Sequence, residues 1–506
     1  MAAPFQRLLS HRLRPHGQAA RGTADEADGR DPSAATPPSW RTEPAGAAEP
    51  CGTIGTRLAP SFRRPGSASL FPLPVAVLDV DVAEPFPAVE PRDGAGRPRS
   101  VASVIVRAFT EPLARLLLDI PPEGMTAEEL AAEIAGRAPA TLGDRLAAAG
   151  IAWDGVLPVG GLRADGTPPF VAARERLLES APAVTAVVCT RGEAPWLREC
   201  LESLRSQRYP HFEVLVVDNA PTGDGNRAIV ESFDGPPVVR RVVEPRPGLS
   251  WARNRSLDEA RHDVIAWMDD DEVADPHWLA ELARAFAEHA DAGAVSGPVL
   301  PAEIDTLAQA CFEEWGGHTK GRGFEPAVFS RATARQQSPL YPRPAYGRGC
   351  NMAFRRAAIE QIGRFDTALG AGTRAVAGED TLALSEYLFE GGTVVHQPSA
   401  LVLHHHVREM RELRDHMFGL GSGVSAFYTS LLVRHPRWLV EVGRAVLSGV
   451  VDEVGSLRDG DRRPQVPAHL IAAQRRGLVV GPFNYALSRR RARALARWEP
   501  AGGDPS

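Results

Sequence analysis

The chain has 506 residues, 43% of them hydrophobic, and a formal net charge of −6. That length allows two or three domains with at least one large core, and the charge argues against a nucleic-acid partner held by an overall basic surface. Cys51, Cys189, Cys200, Cys311 and Cys350 show no CxxC spacing, which speaks against a disulfide framework or a cysteine zinc site and fits a reducing compartment. Residues 1–68 are rich in Ala, Pro, Gly, Arg and Ser without periodicity and read as a disordered tail. They contain no apolar h-region, so no secretory leader is expected. No run of about 18 apolar residues follows, so no membrane span is expected, and the expected location is the cytoplasm. Strands are predicted at Val75–Val82, Val101–Val106 and Leu113–Ile120. Thr126-Ala-Glu-Glu129 forms a capping box for a helix through Ile134, and a second helix covers Leu142–Ala149. Together they make a small α/β domain over 69–178 whose role the sequence leaves open.

At Ala183 the character changes. Val184–Val188 has no polar face and suits a strand buried on both sides of a parallel sheet. A helix opens at Pro195, with Leu197, Leu201 and Leu204 on one face. Strands follow at Phe212–Val217, Val238–Val243 and Val264–Met268. Ser250 is expected to cap a helix through Ala260, and Asp275-Pro276 to open one that runs to about His289. Alternating strands and helices imply a parallel α/β sheet, whose ligands bind beyond the carboxyl ends of the strands. Functional residues are therefore expected just after Val188, Val217 and Met268. Beyond about His406 the chain reads as mainly helical and ends in the basic stretch Arg489–Arg493.

Five groups carry chemistry. Asp269, Asp270, Asp271 and Glu272 end a buried strand, where their mutual repulsion is most simply relieved by a hard divalent cation, Mn2+ or Mg2+. Thr190 and Arg191, with Glu193 close by, follow the first strand, and Asp218 the second. Such loops can hold a nucleotide, or simply form turns. Arg253 lies in the first turn of a helix opened at Gly248, a place that favours a diphosphate. Glu379 and Asp380 follow a glycine-rich loop and can supply a general base or merely favour a helix start. His404 and His406 share one side of an extended segment and could complete a metal site. No GxGxxG, GxxxxGK[ST] or GxSxG motif stands where a dehydrogenase, P-loop enzyme or α/β-hydrolase needs it.

Val187–Arg191, Val216–Asn219, Gly248–Asn254, Asp269–Asp271, Gly349–Arg355 and Gly378–Asp380 occur in the order seen in family-2 glycosyltransferases. Over about residues 183–410 the chain resembles that family. The resemblance implies a GT-A nucleotide-binding fold over 179–406, with the small α/β domain before it and a helical C-terminal extension over 407–506. It implies an inverting, metal-dependent transfer from a nucleotide-diphosphate sugar to a hydroxyl acceptor. Thr190, Arg191, Glu193 and Asp218 match positions at the base and ribose, Asp270 one near the ribose, and Arg253 one near the diphosphate. Asp269 and Asp271 match the DxD metal motif, and His404 or His406 a C-terminal metal-binding histidine. Asp380 matches the catalytic base, with Glu379 and Asn351 on the acceptor side. The family often has Asp where this chain has Glu272. The QxxRW motif of processive members is absent, so a processive synthase is not expected. A nucleotide-sugar-binding protein without activity and a nucleotidyltransferase are the alternatives. The basic C-terminal stretch reads as a solvated tail, with peripheral contact to an anionic membrane as the alternative.

Overall fold

The computed structural model describes residues 72–319, 323–330, 346–444, 447 and 466–497; the tail expected over 1–68 lies outside them. The first ordered unit is a three-stranded sheet. Strand β1 (Ala76–Asp81) runs parallel to β2 (Val101–Ala108), and β3 (Glu111–Asp119) runs antiparallel to β2. Helices α1 (Ala127–Arg137), α2 (Pro139–Ala148) and α3 (Pro169–Leu178) follow, the last unforeseen in the sequence. The capping box at Thr126 forms with both its hydrogen bonds. Leu130, Ile134, Leu142 and Leu146 share a core with Val104, Val106 and Leu118.

The main unit alternates strands and helices from β4 (Val184–Thr190) through α4 (Leu197–Arg205), β5 (Phe212–Asn219), α5 (Gly225–Glu231), β6 (Val238–Glu244), α6 (Leu249–Glu259) and β7 (Val264–Asp269). It continues with β8 (Glu272–Ala274), α7 (Trp278–Glu288), β9 (Ala292–Ser296), β10 (Val299–Pro301), α8 (Leu307–Glu314), β11 (Ala327–Phe329), β12 (Asn351–Arg355) and α9 (Arg356–Gln361). The last elements are α10 (Glu379–Phe389), β13 (Thr393–His396), β14 (Val402–His404), α11 (Met410–Arg434) and α12 (Ala468–Ala496). Eight strands form one sheet in the order β11-β13-β9-β12-β7-β4-β5-β6. β4 to β7 obey the parallel expectation, but β12 runs antiparallel to both β7 and β9. The chain enters β12 from the carboxyl-end loop at Gly349, so it must run back across the sheet. Apolar side chains fill both faces of β4, with Ala186 and Val188 in one core and Val187 in the other, as a strand covered on both sides requires.

Two helix starts differ from expectation. Gly248, at φ 140°, ends the turn before α6, and Ser250 lies inside the helix, its hydroxyl donating to Leu369 O (2.8 Å). Asp275 accepts from His277 N (2.9 Å) and shapes a turn, while α7 begins only at Trp278.

Candidate active site

Strand register sets the site. Thr190 stands opposite Asp218, and Cys189 opposite Asp269, so the three expected strand ends form one row along the carboxyl edge. A second, three-stranded sheet (β10-β14-β8) lies beside it and pairs Glu272 with His404. That pairing brings the acidic run against the histidines, and His405 N donates to Asp271 O (2.9 Å).

The four acids part company. Glu272 is fully buried, accepts from Asp269 N (2.9 Å) and takes the Cys350 thiol as a further donor; burial raises its carboxyl well above the usual range. It braces the turn and is no ligand candidate. Asp269 and Asp271 keep 34% and 37% of their side-chain surface open. Burial raises both to about 6, helped by the charge of Asp271 at Asp269 and of Glu303 at Asp271, and burial raises Asp270 to about 7. Three neighbouring carboxyls that resist ionisation are what an added cation would relieve.

His404 Nδ1 and His406 Nδ1 lie 2.9 Å apart, on one side of the segment as the alternation requires. His318, which the sequence reading missed, brings a third ring nitrogen, and all three lie within 4.8 Å of one another. No local pattern marks His318, because it sits in a turn after α8 and meets the others only through the fold. Burial and the neighbouring rings hold His318 and His404 well below the usual histidine range, so both are neutral and able to ligate. Glu313 Oε1 lies 2.9 Å from His406 Nε2, and Arg115 from β3 pairs with the same carboxylate (2.6 Å). A carboxylate on the far nitrogen orients an imidazole in this way at metal sites. His404 Nε2 is 3.5 Å from Asp271 Oδ1. His405 points away: although buried, it is raised to about 9 by Glu199 and Glu303, and it stacks on Trp196 (centroids 3.8 Å apart). Among the described residues, the three ring nitrogens lie close enough together to share a divalent cation, with the Asp271 carboxylate next to His404. Imidazole in the set moves preference away from Mg2+ toward transition ions, while the neighbouring carboxylates suit Mg2+ and Mn2+ alike.

A cleft opens next to these acids, lined by Arg253, Asp269, His318, Arg348, Glu379 and Asp380 and walled by Leu420, Val424 and Phe427 of α11. Asp380 Oδ2 accepts from Gly349 N (2.7 Å) and Oδ1 from Thr381 N (2.6 Å). Gly349 is required there, since a Cβ would fall 2.7 Å from that of Asp380 and 2.9 Å from the Arg253 guanidinium. Arg253 is 2% exposed and donates to Glu379 Oε1 (2.8 Å) and Gly349 O (3.0 Å), with Asp269 at 3.7 Å. It braces acids from below instead of presenting a free guanidinium. Burial and Asp380 together raise Glu379 to about 7 despite that arginine.

Other expected residues fall less simply. Arg191 and Glu193 are exposed on the loop after β4, with Arg191 against the backbone at Gly372. Thr190 and Asp218 are buried, and Asp218 is held by Arg241 (2.9 and 2.7 Å) and Asn226. Arg241 occupies Oδ2, so a donor that used Asp218 would have to meet Oδ1, where Asn226 stands at 3.4 Å. Asn351 is a correction: it is wholly buried, donates to Pro298 O and Ala400 O, and accepts from Trp278 Nε1. It locks β12 to its neighbours and offers no atom to an acceptor.

A mixed sheet whose parallel strands β4, β5 and β7 end in a row of acids beside histidines and a carboxylate-lined cleft is the arrangement of a GT-A glycosyltransferase. The model of glycosyl transferase family 2 matches residues 185–363. The succinoglycan biosynthesis protein ExoM of Rhizobium meliloti is 32% identical over 230 residues, 44% of this chain and 67% of that protein. The glucosyl-dolichyl phosphate glucuronosyltransferase of Haloferax volcanii is 27% identical over 227 residues, 44% of this chain and 68% of that protein. The pre-mycofactocin glycosyltransferase of Mycobacterium tuberculosis is 26% identical over 284 residues, covering 54% of this chain and 53% of its own length. The chain belongs to glycosyltransferase family 2, and it is a glycosyltransferase.

Proposed function

We propose that the protein transfers a sugar from a nucleoside-diphosphate donor to an acceptor hydroxyl with inversion. Asp380 takes the hydroxyl proton as that oxygen bonds to the anomeric carbon and the bond to the diphosphate breaks. A divalent cation held by Asp271 and Asp269, with His404 beside them, would neutralise the departing diphosphate. Glu379 and Arg253 fix the floor of the cleft, so that the base and the donor end of the site keep their spacing. The observation that carries this reading is the meeting of Asp269 and Asp380 in one cleft, although 110 positions of chain separate them. The name of the Haloferax relative specifies a sugar on a dolichyl phosphate as acceptor. A sugar on a lipid phosphate also suits the apolar α11 wall of this cleft, and Arg348, within the cleft, offers charge to such a phosphate.

The test is a panel of nucleotide sugars with Mn2+ or Mg2+, with products resolved chromatographically. Nucleoside diphosphate is the expected product, and Asp271→Ala should abolish its metal-dependent release. Pyrophosphate would instead indicate a nucleotidyltransferase, and binding with no product from any donor and acceptor pair would favour a binding protein.

A further inference from the structure

Helix α12 carries its apolar residues on the wrong side for a core. The residues it buries include Leu470, Gly477, Gly481, Tyr485, Ser488 and Ala492, mostly small or polar. They pack against α11, where a Cβ on Gly481 would collide with Ser425 and one on Gly421 with Gln474. At 100° per residue the opposite stripe runs through Arg475, Arg476, Val479, Phe483, Leu487, Arg490 and Arg493. Val479 and Phe483 are 72% and 73% exposed, and Leu487 is 43% exposed. The helix has six arginines and no Asp or Glu, in a chain whose net charge is −6. An apolar centre with arginines at both ends, on a helix with no carboxylate of its own, is built for a surface that is apolar below and anionic above.

We propose that the outer face of α12 docks on an anionic lipid surface. Phe483, Val479 and Leu487 enter the acyl boundary while the flanking arginines meet lipid phosphates. The helix spans about 43 Å at 1.5 Å per residue, long enough to lie along the interface. No described helix is long and apolar enough to cross a membrane. Because α11 forms the wall of the active-site cleft and carries α12 on its back, docking would hold the cleft one helix away from the lipid.

Co-sedimentation of the full chain tests this with vesicles of phosphatidylcholine alone and of an equal mixture with phosphatidylglycerol. Binding to the mixed vesicles only, weakened by added salt, is expected. Val479→Ser with Phe483→Ser should cut that binding at least tenfold, and both positions are exposed enough for the fold to tolerate the change. A Phe483→Trp variant should shift its emission to the blue with the mixed vesicles alone. Sugar transfer to a water-soluble acceptor, read as released nucleoside diphosphate, should be unchanged in both variants, which separates docking from catalysis. Binding equal on both vesicles, absent from both, or unaltered in the double variant would overturn the proposal. So would a vesicle-independent change from dimer to monomer in the double variant, which would assign the face to a second copy of this chain.

Discussion

Asp380 has two carboxylate oxygens, and each already accepts a backbone N–H, from Gly349 and from Thr381. Such a carboxylate is held in place before any acceptor arrives, which a base needs. Asparagine can satisfy only one of those donors with its oxygen; its amide group would face the other. Asp380→Asn is therefore expected to lose transfer by roughly 100-fold to 10,000-fold, and about 1–3 kcal/mol of stability for the unmet donor. Donor affinity should stay near that of the parent. Steady-state rates beside a donor titration and a denaturation curve measure all three. Unimpaired turnover would move the base elsewhere and leave the fold assignment intact. Glu379→Gln should cost less, since Glu379 faces Arg253 and not the acceptor proton. The acids at 269–271 and at 379–380 were legible in the sequence, because a strand end and a glycine-led helix start both declare where a side chain will sit. Asn351 was legible only as part of a motif. Its motif places it beside the site, but its three hydrogen bonds turn it into the core.

At the scale of elements, β3 reaches the histidine cluster through one ion pair. Arg115 holds Glu313, and Glu313 holds His406; Arg115 and His406 together keep the buried Glu313 carboxyl down at about 2, against the pull of burial. The N-terminal unit, whose role the sequence left open, thus supports the candidate metal site. Arg115→Met should strand a buried carboxylate and cost about 3–5 kcal/mol at neutral pH. Adding Glu313→Gln should return part of that stability while leaving His406 less well oriented. Chemical denaturation of the two variants checks the first effect, and manganese titration the second. A stability loss under about 1 kcal/mol for Arg115→Met would show the pair to be dispensable. The α11–α12 contact makes a second prediction of this kind. Gly481→Val should force the helices apart and cost about 1–3 kcal/mol by overpacking, read as a fall in denaturation midpoint; an unchanged midpoint would mean the helices separate freely. The sequence reading saw a helical region with a basic end here, but not the apolar stripe through Val479 and Phe483. A helix that buries glycine and serine and exposes phenylalanine inverts the pattern that periodicity looks for.

Across the whole molecule, the alternation of β4 to β7 with their helices was legible because long buried strands carry a continuous apolar signal. Strands β8, β10 and β14 have three residues each, too few for any period, yet they join the acidic run to the histidines. The consequence can be read in stability against pH. Asp269 and Asp271 at about 6, and Asp270 and Glu379 at about 7, all lie above their ordinary values of 3.8 and 4.5. The folded state thus holds these protons more tightly than the unfolded chain does. Their contribution is fully present below about pH 4 and is lost as pH rises through 6 to 7. Glu313, depressed to about 2, works in the opposite sense, its contribution fading only as pH falls below its ordinary value of 4.5 toward 2. Without metal, these carboxyls should therefore pull the melting temperature down between about pH 5 and pH 7.5, against the opposite pull of His318 and His404, whose depressed imidazoles favour folding more as pH rises. A cation must compete with the same protons, so Mn2+ should restore stability most at pH 7.5 and least at pH 5. At about 100 times its dissociation constant the gain should reach about 2.7 kcal/mol. Asp271→Ala should remove the manganese response and flatten the decline, since one raised carboxyl and its repulsion of Asp269 are gone. Thermal melts at both pH values, with Mn2+ or with chelator, decide the matter. A manganese shift of equal size at pH 5 and pH 7.5, or one that survives in Asp271→Ala, would place the ion somewhere other than these carboxylates.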